Sequence, residues 1–469
     1  MMQEVNVVVV GGGAAGLAAA AELRRLNVSA LVIEAQPRLG GRILTVERDG
    51  DAPFERGAQM INGDMSAVLE LAAEEQLHVS PMPATGRDLC YLDGEVLPRS
   101  ELISADEAEA LLADAIRSWS SPGDIWKSTW SLYRWWTEPW ESFGEAKRGA
   151  ELAISSSTPP KDSLGGAIRR LLLCSEDEAI VRTAMAEQFG ADPDLVNARA
   201  AKTTSTAYQS DRCDAEFHLV AGMTRIIQAL AGQLSQSPLL NRPVTGITVE
   251  PDGVRVATPS ADYRAQRVIV AVPPTVARRI DFKIARRKEL HELLSSFSDG
   301  AVIKTTLVYD RAFWRENGCS GTVSFAAPLG LEVRDTSYDG AAKPRLTAFL
   351  GGPEARARAS LPEKTRRDLL LTDLSAVLGG QVHHFRAIDE GIWVDHPWSG
   401  GGYNAYLRCG QPSDAAARLA DWPGPVCFAG AELDTDFSGY VEGAIRSGRR
   451  VAARVAEELK ANVGAICGT

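Results

Sequence analysis

Apolar positions divide the chain into elements from its first residues onward. Val5 to Val10 is a β-branched apolar run, the composition of a strand buried on both faces of a parallel sheet. Glycines follow, then a helical stretch, LAAAAELRRLN, at residues 17–27. A second apolar run, ALVIEA at 30–35, completes a strand–turn–helix–strand unit. Residues 239–274 read as two strands joined through the turn Pro251-Asp252-Gly253, followed by a third strand. Just before them, residues 218–234 place a glycine ahead of a helix. GAVIKTTLVYD, at 300–310, reads as a strand in which Val302, Lys304, Thr306 and Val308 share one face. Residues 100–200 are mostly helical in pattern, and 450–464 form an amphipathic helix. Strands alternating with helices predict an α/β fold with a Rossmann-like domain. No stretch of eighteen purely apolar residues occurs, so no membrane helix is expected.

Composition narrows the class. A chain of 469 residues exceeds one ordinary core, and at least two domains are expected. Apolar residues make up 45% and charged residues 24%, which excludes global disorder. Against 50 lysines and arginines stand 61 acidic residues, a net charge of −11. That balance argues against nucleic-acid binding and gives a modest pull on small cations. Seven cysteines include no CxxC pair and no disulfide or zinc spacing, which fits a reducing compartment. The opening MMQEVNVVVVGG lacks a basic segment and a cleavage site, so no signal peptide is expected. The chain is therefore read as soluble and cytoplasmic. Its six histidines lack metal-ligand spacing and are read as structural or surface residues, with no metal site.

The strongest local chemistry lies in the first forty residues. Gly11, Gly13 and Gly16 satisfy GxGxxG between strand and helix, with Ala15 in the same turn. Gly11 suits the tight turn, Gly13 lets the backbone approach a pyrophosphate, and Gly16 lets helix and strand pack closely. The helix N-terminus offers its free N–H groups to phosphate. Glu34, at the end of the second strand with Ala35, is placed to accept from ribose hydroxyls, which suits FAD or NAD over NADP.

Three further segments carry a resemblance. Residues 38–45 read RLGGRILT, residues 55–63 ERGAQMING, and residues 427–448 CFAGAELDTDFSGYVEGAIRSG. In order and composition they are similar to the motifs of the flavin-containing amine oxidase family, its soluble monoamine-oxidase-like members above all. The resemblance implies a discontinuous FAD-binding domain from residues 1–80, 205–290 and 395–469. Residues 81–204 and 291–394 would form an α+β substrate domain. It implies cofactor contacts at Gly41 and Arg42, at Gly57, Ala58, Gln59 and Met60, and at Val244, which would present its backbone to the adenine. Trp398, Gly430, Ala431, Glu432, Gly439, Tyr440, Val441 and Ala444 complete the implied set.

Three residues are implied for the chemistry. A strand lysine is ordinarily a solvated side chain. Gly300, Lys304, Phe313 and Trp314, however, match the family segment whose lysine holds a water against the flavin. Tyr403, in HPWSGGGYNAY, and Tyr440 match tyrosines that cage the substrate nitrogen between ring faces. Membrane-bound monoamine oxidases bond their flavin through a cysteine just before the first tyrosine. Gly402 stands there in this chain, which implies FAD held without a covalent bond.

The implied reaction removes a hydride from the α-carbon of a small-molecule amine. The resulting imine hydrolyses to an aldehyde or ketone, and molecular oxygen reoxidises the flavin to give hydrogen peroxide. The two tyrosines and the lack of an arginine in Gly57–Met60 point to an amine with an uncharged or weakly polar tail and no carboxylate at the reacting carbon. Glu216 and Asp214 are candidates for holding a distal ammonium. Competing readings are an L-amino-acid oxidase or amide-forming monooxygenase, with Arg87 or Arg212 binding the carboxylate, and an amine dehydrogenase passing electrons to another acceptor. A carotenoid- or porphyrinogen-type dehydrogenase, or a flavin-binding scaffold without turnover, is also weighed. Six of the ten tryptophans lie between Trp119 and Trp140, either as core or as an aromatic wall at the entry or a homodimer contact.

Overall fold

The computed structural model describes residues 3–48, 51–102, 162–171, 173–201, 216–338 and 343–467. The tryptophan-rich segment, Arg212 and Asp214 lie outside them. Two seven-stranded sheets organise the described residues.

The first sheet is centred on Gln3–Val10, which runs parallel to Ala30–Ile33 on one side and to Asp262–Val270 on the other. Val7 and Val9 enter one hydrophobic cluster while Val8 and Val10 enter another, so the strand is buried on both faces. That is the physical meaning of its unbroken apolar run. Gly246–Glu250 and Gly253–Ala257 pair antiparallel about the expected turn, and Val426–Phe428 joins Asp262–Val270 in parallel. On one face lie the helix Ala14–Arg25 and the long C-terminal helix Val441–Cys467. They approach closely because Gly448 has no side chain: a Cβ there would stand 2.2 Å from the Ala15 carbonyl oxygen.

The second sheet has the strand order Ala387–Ile392, Val302–Val308, Arg345–Gly351, Leu331–Asp335, Cys319–Phe325, Arg87–Leu92 and Glu95–Pro98. Its two faces differ in chemistry. Ile303, Leu307, Val323, Phe325, Leu331 and Val333 pack in one cluster with Leu370, Leu371 and Leu374 of the helix Glu363–Leu378. The alternate positions, Lys304, Thr322, Ser324, Glu332 and Arg334, line a cavity instead. Register sets them in rows, since Lys304 opposes Phe349, Phe349 opposes Glu332, and Glu332 opposes Ser324. Lys304 is 2% exposed. The ordinary solvated-strand reading of this lysine therefore fails: all seven residues of its strand are buried.

Among the described residues, no helix is long and apolar enough to cross a membrane, and no group of three or more acidic, histidine or cysteine side chains is placed to hold a metal ion.

Candidate active site

A cavity of about 1150 Å³ runs from the glycine turn of the first sheet to the polar face of the second. At its first end Gly11 adopts φ +109°, and a Cβ there would lie 2.7 Å from the Ala271 carbonyl oxygen. Gly16 backs against Gly11, where a Cβ would meet the carbonyl oxygen at 2.0 Å. Beside Gly13, by contrast, a Cβ would meet nothing within 4 Å, so the turn opens onto free space. The helix that follows begins at Ala14 with no side chain capping it, and Ala14 and Ala15 line the cavity. Its free N–H groups make an anion site. Glu34 is buried and shapes this end: its carboxylate accepts from the Gly12 N–H at 2.6 Å and the Gln36 N–H at 2.8 Å. Each oxygen keeps acceptor capacity for a ribose hydroxyl. These residues fit a dinucleotide.

In the middle, Arg42 joins separate parts of the chain. Its guanidinium makes two hydrogen bonds to Glu432, at 2.6 and 3.1 Å, and donates to the Tyr403 carbonyl at 2.8 Å. Glu432 also accepts from the Ala405 N–H at 3.0 Å. Burial opposes the charge on Glu432, but Arg42 outweighs it and holds the carboxyl below its ordinary range. The neighbouring Glu442 is fully buried and accepts from the Ala67 and Val68 N–H groups, both at 3.0 Å, capping the helix Ser66–Glu74. That glutamate therefore serves the scaffold.

Lys304 reaches across from the second sheet. Its Nζ donates to the Gly57 carbonyl at 2.9 Å and lies 5.4 Å from the centre of the Phe349 ring. Gly57 is forced by packing, because a Cβ would sit 2.0 Å from the Arg42 carbonyl oxygen. Burial pushes the Lys304 ammonium down to about 7, with Glu55 pulling the other way. Burial likewise raises Glu55, which accepts from the Met223 N–H at 2.5 Å and from the Thr45 hydroxyl at 2.9 Å.

At the far end Tyr403 and Tyr440 both line the cavity. The Tyr403 hydroxyl donates to Glu187 Oε1 at 2.7 Å. Burial, with the neighbouring Glu332, pushes the Glu187 carboxyl up to about 7. Glu332 in turn faces Arg334 at 3.4 Å and Ser324 at 3.5 Å. Arg87, Asp88 and Arg99 complete this end.

Every residue expected to bind the cofactor or carry the chemistry lines the cavity except Gly16, which supports the turn from behind. Glu216 is elsewhere, accepting from the Gly63 N–H at 2.7 Å, so it is no counter-ion for a distal ammonium. Charged side chains also line this cavity, Arg87 and Asp88 from one strand and Glu332 and Arg334 from another. Sequence reasoning missed Glu187, Glu332 and Arg334. The last two were traceable: in Leu331–Asp335 the buried positions alternate with Glu332 and Arg334, a strand with one polar face. Glu187, on the helix Ser175–Phe189, carries no such signal.

The family model for flavin containing amine oxidoreductases matches residues 14–456. A putrescine oxidase of Kocuria rosea is 28% identical over 484 aligned residues, covering 96% of this chain and 95% of that protein. An L-amino acid dehydrogenase of Synechocystis is 27% identical, covering 95% and 94%. The solved structure of a cyclohexylamine oxidase from Brevibacterium oxydans superposes with a TM-score of 0.82 at 25% identity, covering 97% of this chain and 99% of the other. With a dinucleotide cradle, a buried lysine and two cavity tyrosines on that fold, the chain belongs to the flavin-containing amine oxidoreductase family, an oxidoreductase acting on amines.

Proposed function

We propose that the protein is a soluble oxidase that holds FAD non-covalently and converts a small-molecule amine to an imine, which water hydrolyses to an aldehyde or ketone. Oxygen as final acceptor, with hydrogen peroxide released, is part of this reading. Bound FAD would supply the hydride acceptor. Gly11, Gly13, Ala15 and Glu34 would hold its nucleotide part, with Val244 beside the adenine, and the segment Gly57–Met60 and the region Gly430–Ala444 would hold its ring. The sheets suggest the division of labour expected from sequence, residues 1–80, 205–290 and 395–469 binding the cofactor and 81–204 and 291–394 the substrate. Neither cysteine nor histidine is among the described residues lining the cavity, which supports non-covalent binding.

The observation that carries the reading is Lys304, buried in the strand and reaching the Gly57 carbonyl at 2.9 Å, on the cavity that Tyr403 and Tyr440 also line. In its charged form this lysine would stabilise negative charge as it develops beside the reacting bond. Tyr403 and Tyr440 would orient the amine nitrogen with their ring faces, and the surrounding apolar wall disfavours the ammonium form. The substrate is an amine without a carboxylate at the reacting carbon, because Gly57–Met60 offers no arginine to pair with one.

A second reading rests on a specific observation: Arg87, Arg99 and Arg334 line the far end, where a carboxylate would find bidentate partners. An α-amino acid is then the substrate, as the name of the Synechocystis relative states for that protein. Flavin reduction rates for matched pairs, each an amine and its α-carboxylated analogue, separate the two. Faster reduction by the amine is expected. Faster reduction by the amino acid transfers the assignment to the second reading.

A further inference from the structure

An amine arrives from water mainly as an ammonium ion, yet it must lose a proton before its α C–H bond can be oxidised. Lys304 donates to the Gly57 carbonyl at 2.9 Å, and with burial holding it down to about 7 it takes up that proton only when it is itself neutral. A second candidate base faces the same cavity, the carboxyl of Glu187. Glu187 lies at the end of the helix Ser175–Phe189 and lines the cavity. Oε1 accepts from the hydroxyl of Tyr403, one of the two rings that would orient the amine. The carboxyl keeps acceptor capacity beyond that bond.

We infer that Glu187 is the proton acceptor of the substrate chamber: it draws the ammonium in beside Tyr403 and takes its proton, leaving the neutral amine between the rings. The exchange is R–NH3⁺ plus carboxylate giving R–NH2 plus carboxylic acid, with no change in redox state. In water this transfer runs uphill. In the chamber, burial disfavours the ammonium and the carboxylate alike, which narrows the gap. The charged and titratable groups facing Glu187 are Tyr403 from the loop above it and Glu332 and Arg334 from the strand Leu331–Asp335. The carboxylate of Glu332 raises the proton affinity of Glu187, and the guanidinium of Arg334 tempers it.

The inference rests on the amine-oxidation reading, and one experiment tests the two separately. The amine that bleaches the wild-type flavin fastest in an anaerobic panel is used as the probe, and its bleaching rate is followed against pH in wild type, Glu187→Gln and Glu332→Gln. Flavin content reports whether each variant is folded. Wild type is expected to hold its rate at alkaline pH and to lose it below neutrality as Glu187 takes up a proton. In Glu187→Gln the amine has to arrive neutral. Its rate should then be slower by about a hundredfold at pH 7, a size usual for loss of a general base, and should converge on wild type near the amine's own pKa. In Glu332→Gln the acid limb should move to lower pH. Profiles of Glu187→Gln that run parallel to wild type at every pH would overturn the inference, as would an acid limb unmoved in Glu332→Gln. Failure of every amine to bleach wild type would instead count against amine oxidation itself.

Discussion

Lys304 illustrates how one residue depends on its surroundings. In a solvated strand it would be an interchangeable surface charge. Here the strand is buried along its whole length, and the ammonium is held by one carbonyl, one ring face and the distant charge of Glu55. A Lys304→Met variant should retain its flavin, since the cradle at Gly11–Gly16 is untouched. Its anaerobic flavin reduction or its reoxidation should slow by about tenfold to a hundredfold, the scale of removing a preorganised polar group at a reacting centre. Wild-type rates in both half-reactions would return the lysine to a structural role.

His218 makes a different residue-scale case. It is fully buried against Tyr338, with ring centres 4.3 Å apart, and neither ring nitrogen has a hydrogen-bond partner among the described residues. Burial, helped by Arg345 and His78, pushes it down to about 4. The unfolded chain therefore takes up a proton near pH 6.5 that the folded protein refuses, so stability falls as pH drops from about 6.5 towards 4. At pH 5 the loss amounts to about 2 kcal/mol. His218→Leu should lose less stability than wild type between pH 7.5 and pH 5 in denaturant titrations. Equal losses in the two proteins would show that the site does not contribute.

At the scale of elements, the decisive contacts are backbone against backbone. The helix Ala14–Arg25 presents its N-terminus to the cavity only because the C-terminal helix backs it across Gly448. A Gly448→Ala methyl would point at the Ala15 carbonyl oxygen and stand 3.1 Å from the Ala19 nitrogen, neither of which can swing aside. The variant should lose about 1–3 kcal/mol, the usual cost of overpacking, and should bind flavin more weakly. Thermal melts together with the flavin-to-protein absorbance ratio check this, and an unchanged ratio would show that the helix pair tolerates separation. These elements were also the most legible ones. The run Val5–Val10, the glycine turn and the strands of 239–274 each follow from local pattern, because their residues answer to local backbone demands. Glu187 was not legible, since its importance comes from a loop 216 positions later in the chain that brings Tyr403 onto it. Glu216 misled for the same reason: nearness in sequence to a motif did not place it at the cavity.

At the scale of the molecule, two sheets of different construction face one cavity. The first is largely parallel and buried on both faces, and it offers a glycine turn, a helix N-terminus and the carboxylate of Glu34. The second is largely antiparallel with one polar face, and it offers side chains in register rows. Arg42, Glu432 and the Tyr403 carbonyl fasten the junction between them. On the proposed function, the first sheet would hold the flavin and the second the amine. The most direct measurement is to mix the flavin-loaded protein with an amine panel anaerobically, record the visible spectrum, and then admit air. At least one amine lacking a carboxylate is expected to bleach the flavin, and air to restore the colour with one hydrogen peroxide formed per amine consumed. A spectrum that stays oxidised with every such amine would contradict this expectation, and so would a bleached flavin that air fails to restore.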